Sequence, residues 1–185
     1  MQRGALLCID VINAFDFDGC EPLVAAASSA APRIKMLQQR AREAKVPVVY
    51  VNDNFGQWRS DFHQTVQACC DPSRPGHAVS EQLRPVESDY FVLKPRHSGF
   101  FCTPLELLLQ SLEVRSLVLV GFATNICVLF TASDAHMRGY DVVVPSDCTA
   151  SNSPKLTQQA LEHMELVSRA TILESSELDL SALQH

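Results

Sequence analysis

The chain alternates short, almost uninterrupted aliphatic runs with longer stretches in which apolar positions recur every three or four residues. The runs cover residues 5–9, 48–51, 90–93, 117–120, 142–144 and 171–173. Their apolar character is continuous rather than alternating, the pattern of parallel strands covered on both faces. Between them, periodicity predicts helices over residues 22–44, 104–111, 124–138 and 154–164, with a shorter one around 77–83. Gly139 stands where a helix ending near Arg138 needs a residue tolerant of positive φ, and Ser153-Pro154 reads as an N-cap followed by proline in the first turn. Strand and helix in strict succession imply right-handed crossovers. The expected fold is therefore α/β, a three-layer αβα sandwich around a six-stranded parallel sheet, with ligands bound outside the carboxyl ends of the strands.

A chain of 185 residues is long enough for one substantial core, and a single domain is expected. Residues 52–85 are the least regular part, polar and aromatic, and are expected to form a lid or pocket wall. Beyond Leu173 the acidic-aliphatic tail fits either a short terminal helix or an arm laid on a neighbouring subunit.

Composition narrows the function classes. Hydrophobic residues make up 46% and charged residues 19%, and no apolar run is long enough to span a bilayer, so membrane insertion is not expected. The opening MQRGALLCIDVI passes directly into a strand-like run without the features of a signal peptide, which predicts a cytoplasmic protein. A net charge of -6, with no Lys/Arg-rich block, offers little attraction to phosphate backbones and argues against nucleic acid as a partner. Seven cysteines, an odd number scattered through the chain, do not suggest a disulfide framework.

Three polar residues fall at or just past the carboxyl ends of predicted strands: Asp10 after ALLCI, Lys94 after YFVL, and Cys127 after LVLVGFATNI. Each alone has an ordinary explanation, as a turn residue, a solvated lysine and a small buried hydrophobe respectively. Their placement on one sheet edge is the stronger signal. Cys127 would sit in the first turn of a helix, where the macrodipole and a neighbouring ammonium from Lys94 are expected to lower its thiol pKa. Asp10 is positioned to take the thiol proton, pass it to a leaving nitrogen and then activate water.

The segments DVINAF, FVLKPRHSGFF and GFATNICVLFTASDAHMRGYDVVVPSDCTAS resemble the isochorismatase-like cysteine hydrolase superfamily, a likeness extending over most of the chain. Its members include nicotinamidases, N-carbamoylsarcosine amidases, ureidoacrylate amidohydrolases and isochorismatases. The resemblance implies a catalytic Asp10–Lys94–Cys127 triad, the same three residues that the strand-end argument selects. It also implies a cis peptide between Phe122 and Ala123, with the amides of Ala123 and Cys127 forming an oxyanion hole. A homodimer or homotetramer follows from the same likeness, with a neighbouring subunit helping to close the pocket.

Departures from the family pattern are informative. Nicotinamidases carry a metal-binding Asp-x-His after the second strand, and here that place reads Asp53-Asn54-Phe55. His63, His77, His97, His136, His163 and His185 have no spacing that rebuilds such a site, so neither a metal nor another cofactor is expected. A small-molecule substrate with an amide, carbamoyl or ureido group fits a cysteine nucleophile best. Two alternatives remain open: isochorismatase-type cleavage of a vinyl ether, with Asp10 doing the acid/base work and Cys127 incidental, and a binding or scaffold protein that keeps the constellation without turnover. Candidate substrate-binding residues are Phe15, Trp58, His97 and Ile126, for which plain packing or a solvated loop is the competing explanation. Arg59 in the irregular segment has the fork to pair with a substrate carboxylate. Asp134, Asp147 and Cys148 read as structural.

Overall fold

The computed structural model describes residues 3–56, 58 and 61–184. Its centre is a parallel sheet of β1 (Gly4–Ile9), β2 (Val48–Asp53), β3 (Tyr90–Lys94), β4 (Ser116–Phe122), β5 (Asp141–Pro145), β6 (Thr149–Ala150) and β7 (Thr171–Leu173). The strand order is β3-β2-β1-β4-β5-β7, with β6 paired to the end of β4. The six expected strands are all present, and the seventh, β6, is two residues long, too short to show any periodicity in sequence.

The helices are α1 (Glu21–Glu43), α2 (Phe62–Cys69), α3 (His77–Gln82), α4 (Leu105–Ser111), α5 (Leu129–Met137) and α6 (Pro154–Ser168). Every residue of β1 is buried, and its side chains divide between two cores. Leu6 and Cys8 face the cluster under α1, while Ala5, Leu7 and Ile9 face the cluster under α4, α5 and α6. Strands buried on both faces have no polar positions to alternate with, which is why they read as continuous runs. Gly139 has φ 78° just past α5, and the Ser153 side chain accepts a hydrogen bond from Leu156 N at the start of α6, as the punctuation predicts.

Two elements differ from expectation. The segment 52–85 contains α2, capped by Asp61, whose carboxylate accepts from Gln64 N at 2.8 Å. The helix predicted over 124–138 is divided, because Thr124–Val128 forms a π-helical turn before α5 begins. Single π turns are rare and concentrate at functional sites.

Chain direction fixes where a site belongs. From β1 the connections run outward to β2 and β3 on one side, and from β4 outward to β5 and β7 on the other, so the sequence order reverses between β1 and β4. A crevice at the carboxyl ends of these two neighbours is where such sheets bind ligands. Gly121 allows the close approach there: its φ is 119°, and a Cβ would lie 2.0 Å from the carbonyl oxygen of Ile9. Any side chain at 121 would push β4 away from β1 beside the site.

Candidate active site

Asp10 is the first residue past β1, with φ 50°, a left-handed conformation that aspartate tolerates better than most residues. Its carboxylate is held at both oxygens. Oδ1 accepts the backbone N–H of Asp53 at 2.7 Å, and Oδ2 pairs with Lys94 Nζ at 2.8 Å. Lys94 closes β3, and its side chain is completely buried. The same ammonium lies 3.6 Å from Cys127 Sγ and 3.5 Å from Asp53 Oδ2. Cys127 lies partly exposed in the π-helical turn after β4, close enough to Asp10 for the carboxylate to act on its thiol. The Phe122–Ala123 peptide bond is cis. One ammonium therefore serves two carboxylates and a sulfur, all at the carboxyl ends of β1, β2, β3 and β4.

The titration behaviour corrects one expectation. Burial pushes the Cys127 thiol up and the charge of Asp10 pushes the same way, while Lys94 opposes both without cancelling them. A lowered thiol pKa was expected from the helix start and the ammonium; desolvation and a facing carboxylate outweigh them. Asp10 is also raised, by burial first, against the pull of Lys94, Cys127 and the Asp53 amide. Burial draws Lys94 down, but Asp10, Cys127 and Asp53 together hold it above the ordinary lysine value. The resting site is thus a protonated thiol beside a carboxyl group of raised affinity for protons, next to a firm cation.

Comparison with known proteins places this geometry. The isochorismatase domain model matches residues 4–177. The chain belongs to the isochorismatase family. It is 42% identical to the isochorismatase family protein YaaI of Bacillus subtilis, covering 91% of this chain and 92% of that protein. It is 32% identical to the ureidoacrylate amidohydrolase RutB of Cronobacter sakazakii, over 86% of this chain and 79% of that protein. The crystal structure of N-carbamoylsarcosine amidase from Thermoplasma acidophilum superposes with a TM-score of 0.73 at 26% identity, covering 96% of this chain and 99% of that one. The protein is an isochorismatase-family hydrolase related to amidohydrolases.

Beside the site, reached through Asp53, lies a cavity of about 550 Å³ lined by Asp53, Asn54, Trp58, Arg96, His97 and Phe101 among others; Asp10, Lys94 and Cys127 are not among its lining residues. Trp58 and His97, both candidates from sequence, lie on its wall, and His97 also packs against Phe130 with ring centroids 5.6 Å apart. Phe15 is a correction. It was expected to line the pocket, yet its ring is wholly buried, 6.2 Å from Phe122 and 6.5 Å from Phe17, and belongs to the core beneath α1. Ile126 is exposed on the π-helical turn but does not line this cavity. Arg59 and His185 lie outside the described residues.

Two residues of the site escaped the sequence reading. Asn52 clamps the turn after Asp10, donating Nδ2 to the carbonyl of Ile12 at 2.6 Å and accepting from Ile12 N at 3.2 Å. Asp53, considered only as the remnant of a metal motif, is the second carboxylate on Lys94 and fixes Asp10 through its amide. Both end β2, and their position at a strand's carboxyl end was the available signal. The residues read as structural have structural partners. Asp134 accepts from Ser98 Oγ and pairs with Arg138 at 3.0 Å, while Asp147 accepts from Ser175 N at 2.8 Å, pinning the C-terminal segment. Cys148 is buried in the α1-side core. Among the described residues, no group of three or more His, Cys, Asp or Glu side chains is arranged to hold a metal ion. None of the described helices is long and apolar enough to cross a membrane.

Proposed function

We propose that this hydrolase cleaves the C–N bond of a small amide, carbamoyl or ureido compound through a thioester on Cys127. The observation that carries the reading is the convergence of a thiol, a carboxylate and an ammonium, with Lys94 Nζ 2.8 Å from Asp10 and 3.6 Å from Cys127 Sγ. Because burial and the Asp10 charge raise the thiol, it has to be activated by proton transfer during the reaction, and Asp10, itself raised by burial and joined to the thiol through their shared Lys94 ammonium, is the acceptor. Sulfur attacks the carbonyl carbon as Asp10 takes the proton, forming the C–S bond. The amides of Ala123 and Cys127 receive the developing oxyanion. Collapse breaks the C–N bond, and Asp10 returns the proton to the departing nitrogen. Water, deprotonated by Asp10, then forms the new C–O bond as C–S breaks, and the thiolate recovers its proton from Asp10.

Lys94 stays charged throughout, holding the Asp10 carboxylate in place and balancing the negative charge as it passes between oxygen and sulfur. No metal or cofactor takes part in this scheme. The names of relatives support it, since one is a ureidoacrylate amidohydrolase and another an N-carbamoylsarcosine amidase. The test is release of ammonia or amine from a panel of amide and carbamoyl metabolites by the wild-type chain and by Cys127→Ala. Turnover by the wild type and none by the variant is expected. Turnover retained without the thiol would contradict the thioester and leave the chemistry to Asp10.

A further inference from the structure

Cys127 and Lys94 reach each other from distant strands. Lys94 ends β3 and the turn of Cys127 follows β4, and in the sheet β2 and β1 lie between those two strands. The 3.6 Å contact between Lys94 Nζ and Cys127 Sγ therefore depends on what joins the loop after β3 to the helix after β4. Two hydrogen bonds do so on successive turns of α5. Gly99 N donates to Thr131 Oγ1 at 3.0 Å, and Ser98 Oγ donates to Asp134. Cys127, Thr131 and Asp134 recur at the spacing of one helix face, so the face that presents the sulfur is also the face that the lysine loop grips.

Thr131 is fully buried, and its hydroxyl has a second bond. It donates to the carbonyl oxygen of Cys127 at 2.7 Å and uses a lone pair to take Gly99 N. One oxygen thus joins the backbone of Cys127 to the loop that follows Lys94. A hydroxyl bonded to the carbonyl four residues back is ordinary on a helix, and Ser133 does the same to Leu129 O at 3.0 Å. Thr131 differs in holding a backbone group of another element as well. The loop is pressed close at that point: a Cβ on Gly99 would lie 2.8 Å from Val51 Cγ1 and 3.4 Å from Thr131 Cγ2.

We propose that Thr131 is a positioning residue whose hydroxyl holds the Cys127 sulfur and the Lys94 ammonium in contact. The role of Cys127 as nucleophile rests on the amidohydrolase reading, whereas the tie is geometric and stands without it. Thr131→Val keeps the shape of the side chain and removes both bonds. The loop that follows Lys94 then relaxes away from α5 and draws the ammonium back from the sulfur. Lys94 is the charge that favours the thiolate, against burial and Asp10, so its withdrawal leaves Cys127 less reactive.

The test is the rate at which iodoacetamide alkylates Cys127 in the full chain, followed from about pH 6 to 9 by intact mass and peptide mapping, with fully buried Cys8 as the unreactive reference for an intact sheet. Thr131→Val is expected to react about 10-fold more slowly at neutral pH, the scale on which a neighbouring charge changes a thiolate fraction, with its profile moved to higher pH. Thr131→Ser, which keeps the hydroxyl, should restore most of the rate. Ser133→Ala, which removes a bond within α5 only, should match wild type. Ser98→Ala, which cuts the neighbouring tie, should slow the reaction in the same direction and decides the matter if Thr131→Val does not fold. An unchanged rate in Thr131→Val, no recovery in Thr131→Ser, an equal loss in Ser133→Ala, or, with Thr131→Val unfolded, a wild-type rate in Ser98→Ala would overturn the inference. A wild-type Cys127 as inert as Cys8 would do the same. The two readings fail separately: an acyl adduct on wild-type Cys127 with an unchanged Thr131→Val rate removes only the tie, and a slowed Thr131→Val with no adduct in the wild type removes only the thioester.

Discussion

Cys8 and Cys127 lie at adjacent strands of one sheet and meet opposite fates. Cys8 sits in the middle of β1, fully buried, where desolvation pushes its thiol up to about 12 and the Gln38 amide approaches the sulfur at 3.3 Å. Cys127, just past β4, is also raised by burial. Thiol acidity therefore does not separate the two. The surroundings do: Cys127 has a carboxylate to accept its proton and an ammonium to balance the sulfur, while Cys8 faces an amide that can do neither. The interior of the sheet supplies packing, and in the proposed mechanism its carboxyl edge supplies a proton path.

The sharpest way to break that comparison is to remove each sulfur in turn. Cys127→Ala should lower kcat/KM by on the order of 10⁴-fold, as loss of a nucleophile does. Asp10→Asn leaves the thiol without its acceptor, and kcat should fall by about 10² to 10⁴, measured under saturating substrate. Lys94→Met probes the cation instead of the proton. It leaves two carboxylates facing each other without a counter-ion, and urea denaturation should show a loss of about 3–5 kcal/mol, the scale for breaking a buried pair.

The pH dependence follows from the raised Asp10. Only its ionised form accepts a proton, so the acid limb of kcat/KM should lie above the ordinary carboxylate value of 3.8. The sign for stability is opposite. A carboxyl whose folded pKa exceeds its unfolded pKa stabilises the fold at low pH, and that contribution is lost as pH rises through the folded value. Wild type measured against Asp10→Asn should therefore lose relative stability as pH climbs from about 3.8 into the raised range; a flat difference would contradict the shift. The smallest effect is at Cys8. Cys8→Ala should cost about 1–2 kcal/mol in denaturant melts, from a small cavity and a lost contact, and leave turnover unchanged.

The same contrast explains what was legible in the sequence. Strands covered on both faces announce themselves as aliphatic runs, so β1 to β5 and β7 were readable, and Asp10, Lys94 and Cys127 stood out as the polar residues where those runs stop. β6, at two residues, has no period to detect. The helix α2 offered a signal that was passed over: Asp61 as N-cap, followed by Phe62, Val66 and Cys69 at helical spacing. Phe15 shows another limit, because an aromatic five residues after the aspartate reads equally as pocket wall or core, and only packing against Phe122 and Phe17 decides. The direction of the Cys127 shift was illegible for the same reason. A helix start and a lysine are visible in sequence, but the depth of burial that outweighs them belongs to the tertiary structure.

The most direct test of the central claim is to quench wild-type chain during turnover of an amide or carbamoyl substrate and measure intact mass, with peptide mapping of all seven cysteines. One acyl group on Cys127, absent from Asp10→Asn and from unreacted chain, is the expected result. Steady turnover with no acyl group on any cysteine, or an adduct on Cys8 or another thiol in its place, would contradict it.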